Sequence, residues 1–195
     1  MGLWSPQVDG ASGITTDGSK WGGQTSREEV AAIGRTLFGE ASATFLANGT
    51  SPNAFPLAVD RETRDFRGGT IRVQFKLIAG PTDQSAGIVI DLQPSGEYHF
   101  VRYNTKDGNL ALWEFAAGDR RVIAKGSGVK QLALGTWHEL VVRIDGSTIT
   151  AAVTGHPELD ARFVLDAAVN GRIGLWAKRD VVTAFRQFSV ETGRG

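Results

Sequence analysis

The chain has 195 residues, of which 41% are hydrophobic, enough for one domain with a full buried core. Lysine and arginine together number 21, as do aspartate and glutamate, so the neutral chain has no charge excess that would favour nucleic acid or an anionic membrane as a partner. It has no cysteine, which excludes disulfides and thiolate metal sites.

The first 67 residues are less regular than the rest and predict turns around short strands, followed by one helix. Ser26 and Glu29 match a capping box, and apolar residues follow them at spacings of three and four. This pattern predicts a helix over residues 26–38, inserted against a sheet edge or over one end of a cleft. The segment Asn48–Asn53 contains Asn, Gly and Pro and is typical of a loop.

The region from about Gly68 to Glu191 has alternating apolar and polar residues broken by Gly-containing turns. Asp-Gly pairs between alternating segments favour tight hairpins, because both central turn positions need a positive φ. Several short strands at regular spacing predict an antiparallel sandwich or barrel. The nine predicted strands are Thr70–Leu77, Ala86–Leu92, Tyr98–Asn104, Asn109–Phe115, Arg121–Lys125, Trp137–Ile144, Thr148–Thr154, Arg172–Lys178 and Thr183–Val190.

Alternation along these strands also predicts which side chains face the core, because successive side chains of a strand point to opposite sides. The predicted core residues are Ile71, Val73, Phe75 and Leu77, then Leu140, Val142 and Ile144, and finally Ile173, Leu175 and Ala177.

Five segments of this region resemble the concanavalin A-like lectin/glucanase superfamily. They are Gly69–Lys76, Ser85–Ile90, Tyr98–Asn104, Gly135–Leu140 and Gly171–Lys178, the last two carrying "G-x-W-H-x-L" and "G-x-I-G-L-W" patterns. Their order and spacing are similar to those of laminin-G-like domains and of the 3-keto-disaccharide hydrolase branch. The resemblance implies an all-β jelly-roll sandwich of two antiparallel sheets, here with one short N-terminal helix and a single domain over residues 1–195. It also implies a concave face of the kind that commonly binds sugars.

A sugar site needs an aromatic ring for the C–H face of the sugar and planar polar groups for its hydroxyls. We therefore predict a carbohydrate-binding domain whose saccharide contacts are Arg72, Gln74, Arg102, Asn104, Trp113, Trp176 and Lys178. A tryptophan in a sandwich strand is often only a core residue, so both ring assignments have a structural alternative. Arg102 needs either an ion partner or a ligand, because an unpaired buried charge is costly.

A glycan-active enzyme, either a polysaccharide lyase or a hydrolase of modified disaccharides, is the main alternative function. Glucanases of the superfamily carry a Glu-x-Asp-x-x-Glu strand, and retaining hydrolysis uses two carboxyl groups about 5 Å apart. The matching strand here has one acid, Asp91, which argues against that activity. A polysaccharide lyase would need a His or Tyr base, and His99, Tyr98 and Tyr103 have the right side chains. The third alternative is a non-catalytic protein-interaction or structural module.

No cofactor is predicted, although a structural calcium is an open alternative because many domains of this superfamily hold one between loops. Its candidate ligands, by residue type, are Asp60, Asp65, Asp145, Asn170 and Asp180. The expected partner is an oligosaccharide or polysaccharide, with no nucleic acid and no membrane, and the sequence does not determine the oligomeric state.

The sequence gives limited information about the cellular location of the protein. No apolar run approaches the roughly 18 residues of a transmembrane helix, and Met1–Pro6 lacks the basic and apolar regions of a signal peptide. We therefore expect either a cytoplasmic protein or an exported one whose signal peptide has already been removed from this sequence. Because Gly-rich sandwiches are often exported, we expect a periplasmic or secreted protein.

Overall fold

The computed structural model describes residues 4–6, 12–18 and 25–193, and these residues form two antiparallel sheets and a short helical segment. The helices are α1, Arg27–Phe38, and α2, Phe45–Gly49, joined by a 3₁₀ segment over Gly39–Thr44. The strands are β1 Trp4–Pro6, β2 Gly13–Asp17, β3 Leu57–Val59, β4 Gly68–Ala79, β5 Ser85–Leu92, β6 Tyr98–Asn104, β7 Asn109–Ala116, β8 Asp119–Lys125, β9 Trp137–Asp145, β10 Thr148–Val153, β11 Ala161–Val164, β12 Arg172–Trp176 and β13 Val182–Thr192.

The strands form a sandwich, which confirms the predicted fold class. One sheet has seven strands in the order β1-β2-β13-β4-β9-β10-β11, and the other has six in the order β3-β12-β5-β6-β7-β8. All nine predicted strands are present, although β12 ends at Trp176, two residues before the predicted end. Strands β1, β2, β3 and β11 were not individually predicted, because three to five residues are too few to show alternation.

The main core lies between the two sheets, on the faces that alternation predicted. Ile71, Val73, Phe75 and Leu77 of β4 are at most 1% exposed, and they pack in one cluster with Leu140, Val142 and Ile144 of β9. The predicted core residues of β12 and the residue after it join the same cluster from the six-stranded sheet. Burying a large aliphatic side chain stabilises the fold by about 1.5–3 kcal/mol, so this layer dominates the stability.

Helix α1 begins and ends where the sequence predicts. The Ser26 side chain accepts a hydrogen bond from the Glu29 backbone N–H, and the Glu29 carboxylate accepts one from the Ser26 backbone N–H. Gly39 ends the helix with a positive φ of 58°, where a glycine avoids the steric cost of a side chain. The predicted Asn48–Asn53 loop is wrong at its start, because Asn48 and Gly49 form the last turn of α2.

The helices form a third layer on the outer face of the six-stranded sheet, so of the two predicted positions, a sheet edge and one end of a cleft, the sheet edge is wrong. Val30 and Leu37 of α1 and Phe45 of α2 pack in one buried cluster with Phe100 and Trp176 of the sheet. Asn48 fixes this layer to the sheet, because its side-chain amide bonds the backbones of two strand-connecting turns, at the carbonyl of residue 95 and the N–H of residue 118. We call this arrangement the helical layer.

Within the residues that the structure describes, no helix has the length and apolar character needed to cross a bilayer.

Candidate functional site

The structure divides the seven residues of the predicted sugar site between two sheets. Arg102 and Asn104 of β6, Trp113 of β7, Trp176 of β12 and Lys178, two residues beyond β12, belong to the six-stranded sheet or its border. The remaining two, Arg72 and Gln74, lie on β4 of the seven-stranded sheet. Their side chains alternate with the core residues of β4, so they point away from the other sheet. The seven residues therefore do not form one surface.

Gln74 and its neighbours make a separate polar group on the seven-stranded sheet. Nε of Arg186 donates to Oε1 of Gln74 at 2.7 Å, and the Arg186 guanidinium lies 4.1 Å from the centre of the Trp137 ring. Arg72 is 4.0 Å from a carboxylate oxygen of Glu139, a long ion pair between half-exposed groups that contributes little to stability.

Trp176 is a core residue of the helical layer. Its side chain is fully buried, and its ring lies 4.4 Å from the Phe100 ring centre in a stacked arrangement and 5.1 Å from the Phe55 ring centre. Gly87 on the adjacent strand allows this packing, because a Cβ there would come within 2.7 Å of the Val101 carbonyl oxygen and 3.3 Å of the Trp176 ring. Trp176 is therefore not available to a ligand at the surface.

The polar cluster consists of Asp83, Arg102, Asn104, Asp107 and Lys178. Nη2 of Arg102 donates to Oδ2 of Asp107 at 2.8 Å. Nδ2 of Asn104 donates to Oδ2 of Asp107 at 3.1 Å and to Oδ1 of Asp83 at 2.6 Å. The Lys178 ammonium forms an ion pair with the Asp83 carboxylate. Arg102 therefore has the partner that its 6% exposure requires.

The turn between β6 and β7 explains how Asp107 reaches this cluster. Oδ1 of Asn104 accepts hydrogen bonds from the backbone N–H groups of Lys106 and Gln84, which holds the turn against the β4–β5 loop. Gly108 has a φ of 68°, a conformation that a tight turn requires and that glycine adopts at little cost. The turn thereby directs the Asp107 carboxylate back over strand β6.

Electrostatics hold the Asp83 carboxylate of the cluster in its ionised form. Burial raises the pKa of Asp83, but hydrogen bonds from Lys178 and Asn104 and the positive charges of Lys178 and Arg102 outweigh it. The pKa of Asp83 consequently lies below its ordinary value. An ionised Asp83 is an acceptor, able to receive hydrogen bonds from hydroxyl groups.

Trp113 borders the polar cluster and is only half-buried. The guanidinium groups of Arg102 and Arg120 lie 5.1 and 5.0 Å from its ring centre, within cation–π range. The Phe100 ring, which stacks on Trp176, also lies nearly parallel to the Trp113 ring, with 6.2 Å between the two ring centres. Trp113 is therefore an aromatic side chain at the border of the helical layer, with charged donors around it.

Arg120 is a functional candidate that the sequence analysis missed. Burial and the positive charge of Arg102 lower the pKa of Arg120, with Asp83 and Asp119 acting in the opposite direction. Its guanidinium faces the Trp113 and Phe55 rings and, among the described residues, forms no ion pair. Asp83 and Asp107 were also missed, and an Asp-Gly turn next to Arg102 was the available signal for Asp107.

The residues considered for a lyase lie elsewhere and have structural roles. Burial raises the pKa of Tyr98 and Tyr103, which disfavours the phenolate that a tyrosine base needs. His99 sits between two carboxylates, with Nδ1 3.3 Å from Asp91 and Nε2 3.8 Å from Glu114. It points to the opposite side of β6 from Arg102, because the two are an odd number of residues apart.

The calcium alternative remains a prediction. Within the described residues, no group of three or more His, Cys, Asp or Glu side chains is arranged to hold a metal ion. Asp60 accepts hydrogen bonds from the backbone of residues 62 and 63, and Asp180 accepts one from residue 82.

Comparisons with known proteins identify the fold class. No protein-family model matches the chain, and no curated protein matches it significantly. Carbohydrate-binding module CBM66 from Bacillus subtilis is 12% identical, matches 71% of this chain and 92% of its own, and has a TM-score of 0.57. A putative glycosyl hydrolase from Parabacteroides distasonis is 11% identical over 71% of this chain and 84% of its own, with a TM-score of 0.53.

A tetrameric galectin from the ball sponge Cinachyrella is 14% identical over 69% of this chain and 99% of its own, with a TM-score of 0.51. At these identities the likeness shows the fold alone, which is a galectin-like jelly-roll sandwich. More than a quarter of this chain has no counterpart in these structures, although almost all of the galectin is matched.

Proposed function

We propose that the protein binds an oligosaccharide or polysaccharide at the polar cluster and Trp113, on the part of the six-stranded sheet that the helical layer leaves open. A sugar ring there has a half-buried indole for its C–H face, carboxylates of Asp83 and Asp107 that accept from hydroxyls, and Lys178 and Arg120 that donate. Polar groups already fixed by one another lose little freedom when a ligand binds.

One observation carries this proposal: Arg102 and Asn104 share the Asp107 carboxylate next to a half-buried tryptophan. Ligand sites commonly combine an aromatic lining with a few fixed polar groups, which is the arrangement found here. The names of two structural neighbours, a carbohydrate-binding module and a galectin, support saccharides as the ligand class. We also propose that the chain is related to the laminin-G-like and 3-keto-disaccharide hydrolase branch, on the segments Gly135–Leu140 and Gly171–Lys178.

The test is a thermal-shift screen against neutral, uronic and oxidised oligosaccharides at about 10 mM, followed by calorimetry on any hit. A ligand at ten times its dissociation constant stabilises the fold by about 1.4 kcal/mol, which corresponds to a shift of a few degrees. Chromatography of the incubated sugar then separates binding from cleavage. We expect binding with the sugar unchanged.

Matched variants locate the site on one sheet. Arg120→Ala and Asp107→Asn each remove one charged group of the proposed site, with circular dichroism as the check of the fold, and we expect each to weaken binding about tenfold or more. Trp137→Ala is the control, because Trp137 is also half-buried and also carries two cations, with Lys76 at 4.8 Å and Arg186 at 4.1 Å. Loss of binding in Trp137→Ala alone would place the site on the seven-stranded sheet and contradict the proposal.

A further inference from the structure

A second polar site lies where helix α1 ends over the six-stranded sheet. It is a cleft with a volume of about 640 Å³. Three arginines line it: Arg35 of α1, Arg64 of the loop between β3 and β4, and Arg172 of β12. Asp65 is the one carboxylate among its described lining residues. The cleft therefore has an excess of positive charge in a chain that is neutral overall.

Arg172 is the central observation, because it is a buried cation with unused hydrogen-bonding capacity. The residue is 6% exposed, and its Nη2 donates to the carbonyl oxygen of Leu37 in the last turn of α1. Its guanidinium lies 5.2 Å from the Phe38 ring centre. Nη1 is buried and has no hydrogen-bond partner within the described residues. A buried donor without a partner is costly, and a ligand that accepts from it removes that cost.

The other charges around Arg172 favour an anion. Burial and the nearby Arg64 lower the pKa of Arg172, while Asp65 and Asp60 act in the opposite direction. Arg35 and Arg64 are exposed, so their side chains are free to turn toward a ligand. Neither forms an ion pair with a described carboxylate. Guanidinium groups bind carboxylates and sulfates through paired hydrogen bonds.

We propose that this cleft binds an oxyanion group, a carboxylate or sulfate, held by Arg172 with Arg35 and Arg64. The inference does not depend on the saccharide site at Trp113. Arg172 and Lys178 lie on the same face of the sheet but six residues apart, roughly 20 Å along an extended chain. The helical layer covers Trp176, which lies between them. The oxyanion comes either free in solution or attached to a saccharide.

Calorimetry with matched probes tests the site. Glucuronate is compared with glucose, and galactose 6-sulfate with galactose, so that each pair differs only by the oxyanion, while inorganic sulfate represents the free ion. All titrations are made at constant ionic strength with sodium chloride, since charge screening and general salt effects act on any protein. We expect binding of the charged member of each pair and little or none of the neutral member.

Variants connect that binding to the cleft. We expect Arg64→Ala and Arg35→Ala each to weaken it about tenfold, since a hydrogen bond to a charged group is lost. Arg27→Ala is the matched control, an exposed arginine on the same helix that does not line the cleft. Because Arg172→Gln removes the contact with Leu37 and can unfold α1, the two exposed arginines carry the test and circular dichroism checks each fold.

The outcomes separate the two proposed sites. Oxyanion binding that Arg64→Ala weakens and Arg120→Ala leaves unchanged supports the cleft, whatever happens with neutral sugars. Binding of inorganic sulfate alone identifies a free-ion site, and binding of only the sugar-linked forms identifies a saccharide substituent. Equal binding by Arg64→Ala, Arg35→Ala and Arg27→Ala, or no preference for the charged probes, would overturn the inference.

Discussion

Replacing Trp176 by alanine tests whether the helical layer and the six-stranded sheet form one core. The Trp176 ring is fully buried and lies 4.4 and 5.1 Å from the Phe100 and Phe55 ring centres. Truncation of a buried tryptophan removes this packing and leaves a cavity, which typically costs about 3–5 kcal/mol. For a protein of this size, each kcal/mol lowers Tm by about 2–4 °C, so we expect a decrease of roughly 6–20 °C.

The assay is urea unfolding followed by circular dichroism and tryptophan fluorescence, with the free energy of unfolding obtained by linear extrapolation. Trp137→Ala serves as the control, because its half-buried ring lies on the outside of the other sheet. We expect the control to lose about 1 kcal/mol or less. A loss below about 1 kcal/mol in Trp176→Ala would show that the ring is not packed as described, and would return Trp176 to the list of ligand contacts.

Two predictions concern pH. Because the pKa of Asp83 is lower in the folded protein than in the unfolded chain, Asp83 contributes stability above its ordinary pKa that is lost as pH falls through the folded value. Urea midpoints between about pH 2 and pH 5 should therefore fall more steeply in the wild type than in Asp83→Asn, and equal slopes would contradict the ion pair with Lys178. Burial and the charge of His156 lower the pKa of His138, outweighing a hydrogen bond with the Ala133 backbone. Stability should consequently decrease as pH falls from about 6.5 through the folded pKa of His138. Thermal unfolding from pH 7.5 to 5 should show a smaller decrease in His138→Phe, and an unchanged decrease would refute this assignment.

The strands were predictable from sequence because their signals are local. The Asp-Gly turns and the alternation along β4 or β9 involve neighbours in the chain, and the structure confirms both. The same holds for α1, whose capping box needs only Ser26 and Glu29. Each of these features is determined by fewer than ten consecutive residues.

The sheet to which a strand belongs could not be predicted in this way. Arg72 and Gln74 were grouped with Arg102, but β4 pairs with β9 and β13, which come much later in the chain. Alternation gives the face of a strand and contains no information about its partners. The predicted site therefore combined residues that lie on two different surfaces.

Local sequence patterns also could not predict the burial of Trp176. Trp176 faces away from the main core, as alternation predicted, and in a two-layer sandwich that direction leads to solvent. The apolar side of α1 covers it here, through Val30 and Leu37 from a segment more than a hundred residues earlier. Asp83 and Asp107 were missed for a related reason, because loop residues acquire a role only when the fold brings them together.

The helical layer also limits how strongly the proposed saccharide site can hold a polymer. With Phe100 and Trp176 covered, the half-buried Trp113 is the aromatic ring that remains for the proposed saccharide, so the proposed contact is small. A contact of that size gives weak binding by a single copy, because few interactions offset the loss of translational freedom. Firm attachment to a polysaccharide then requires several domains to engage one chain at once, so avidity rather than intrinsic affinity would set its retention on a glycan surface.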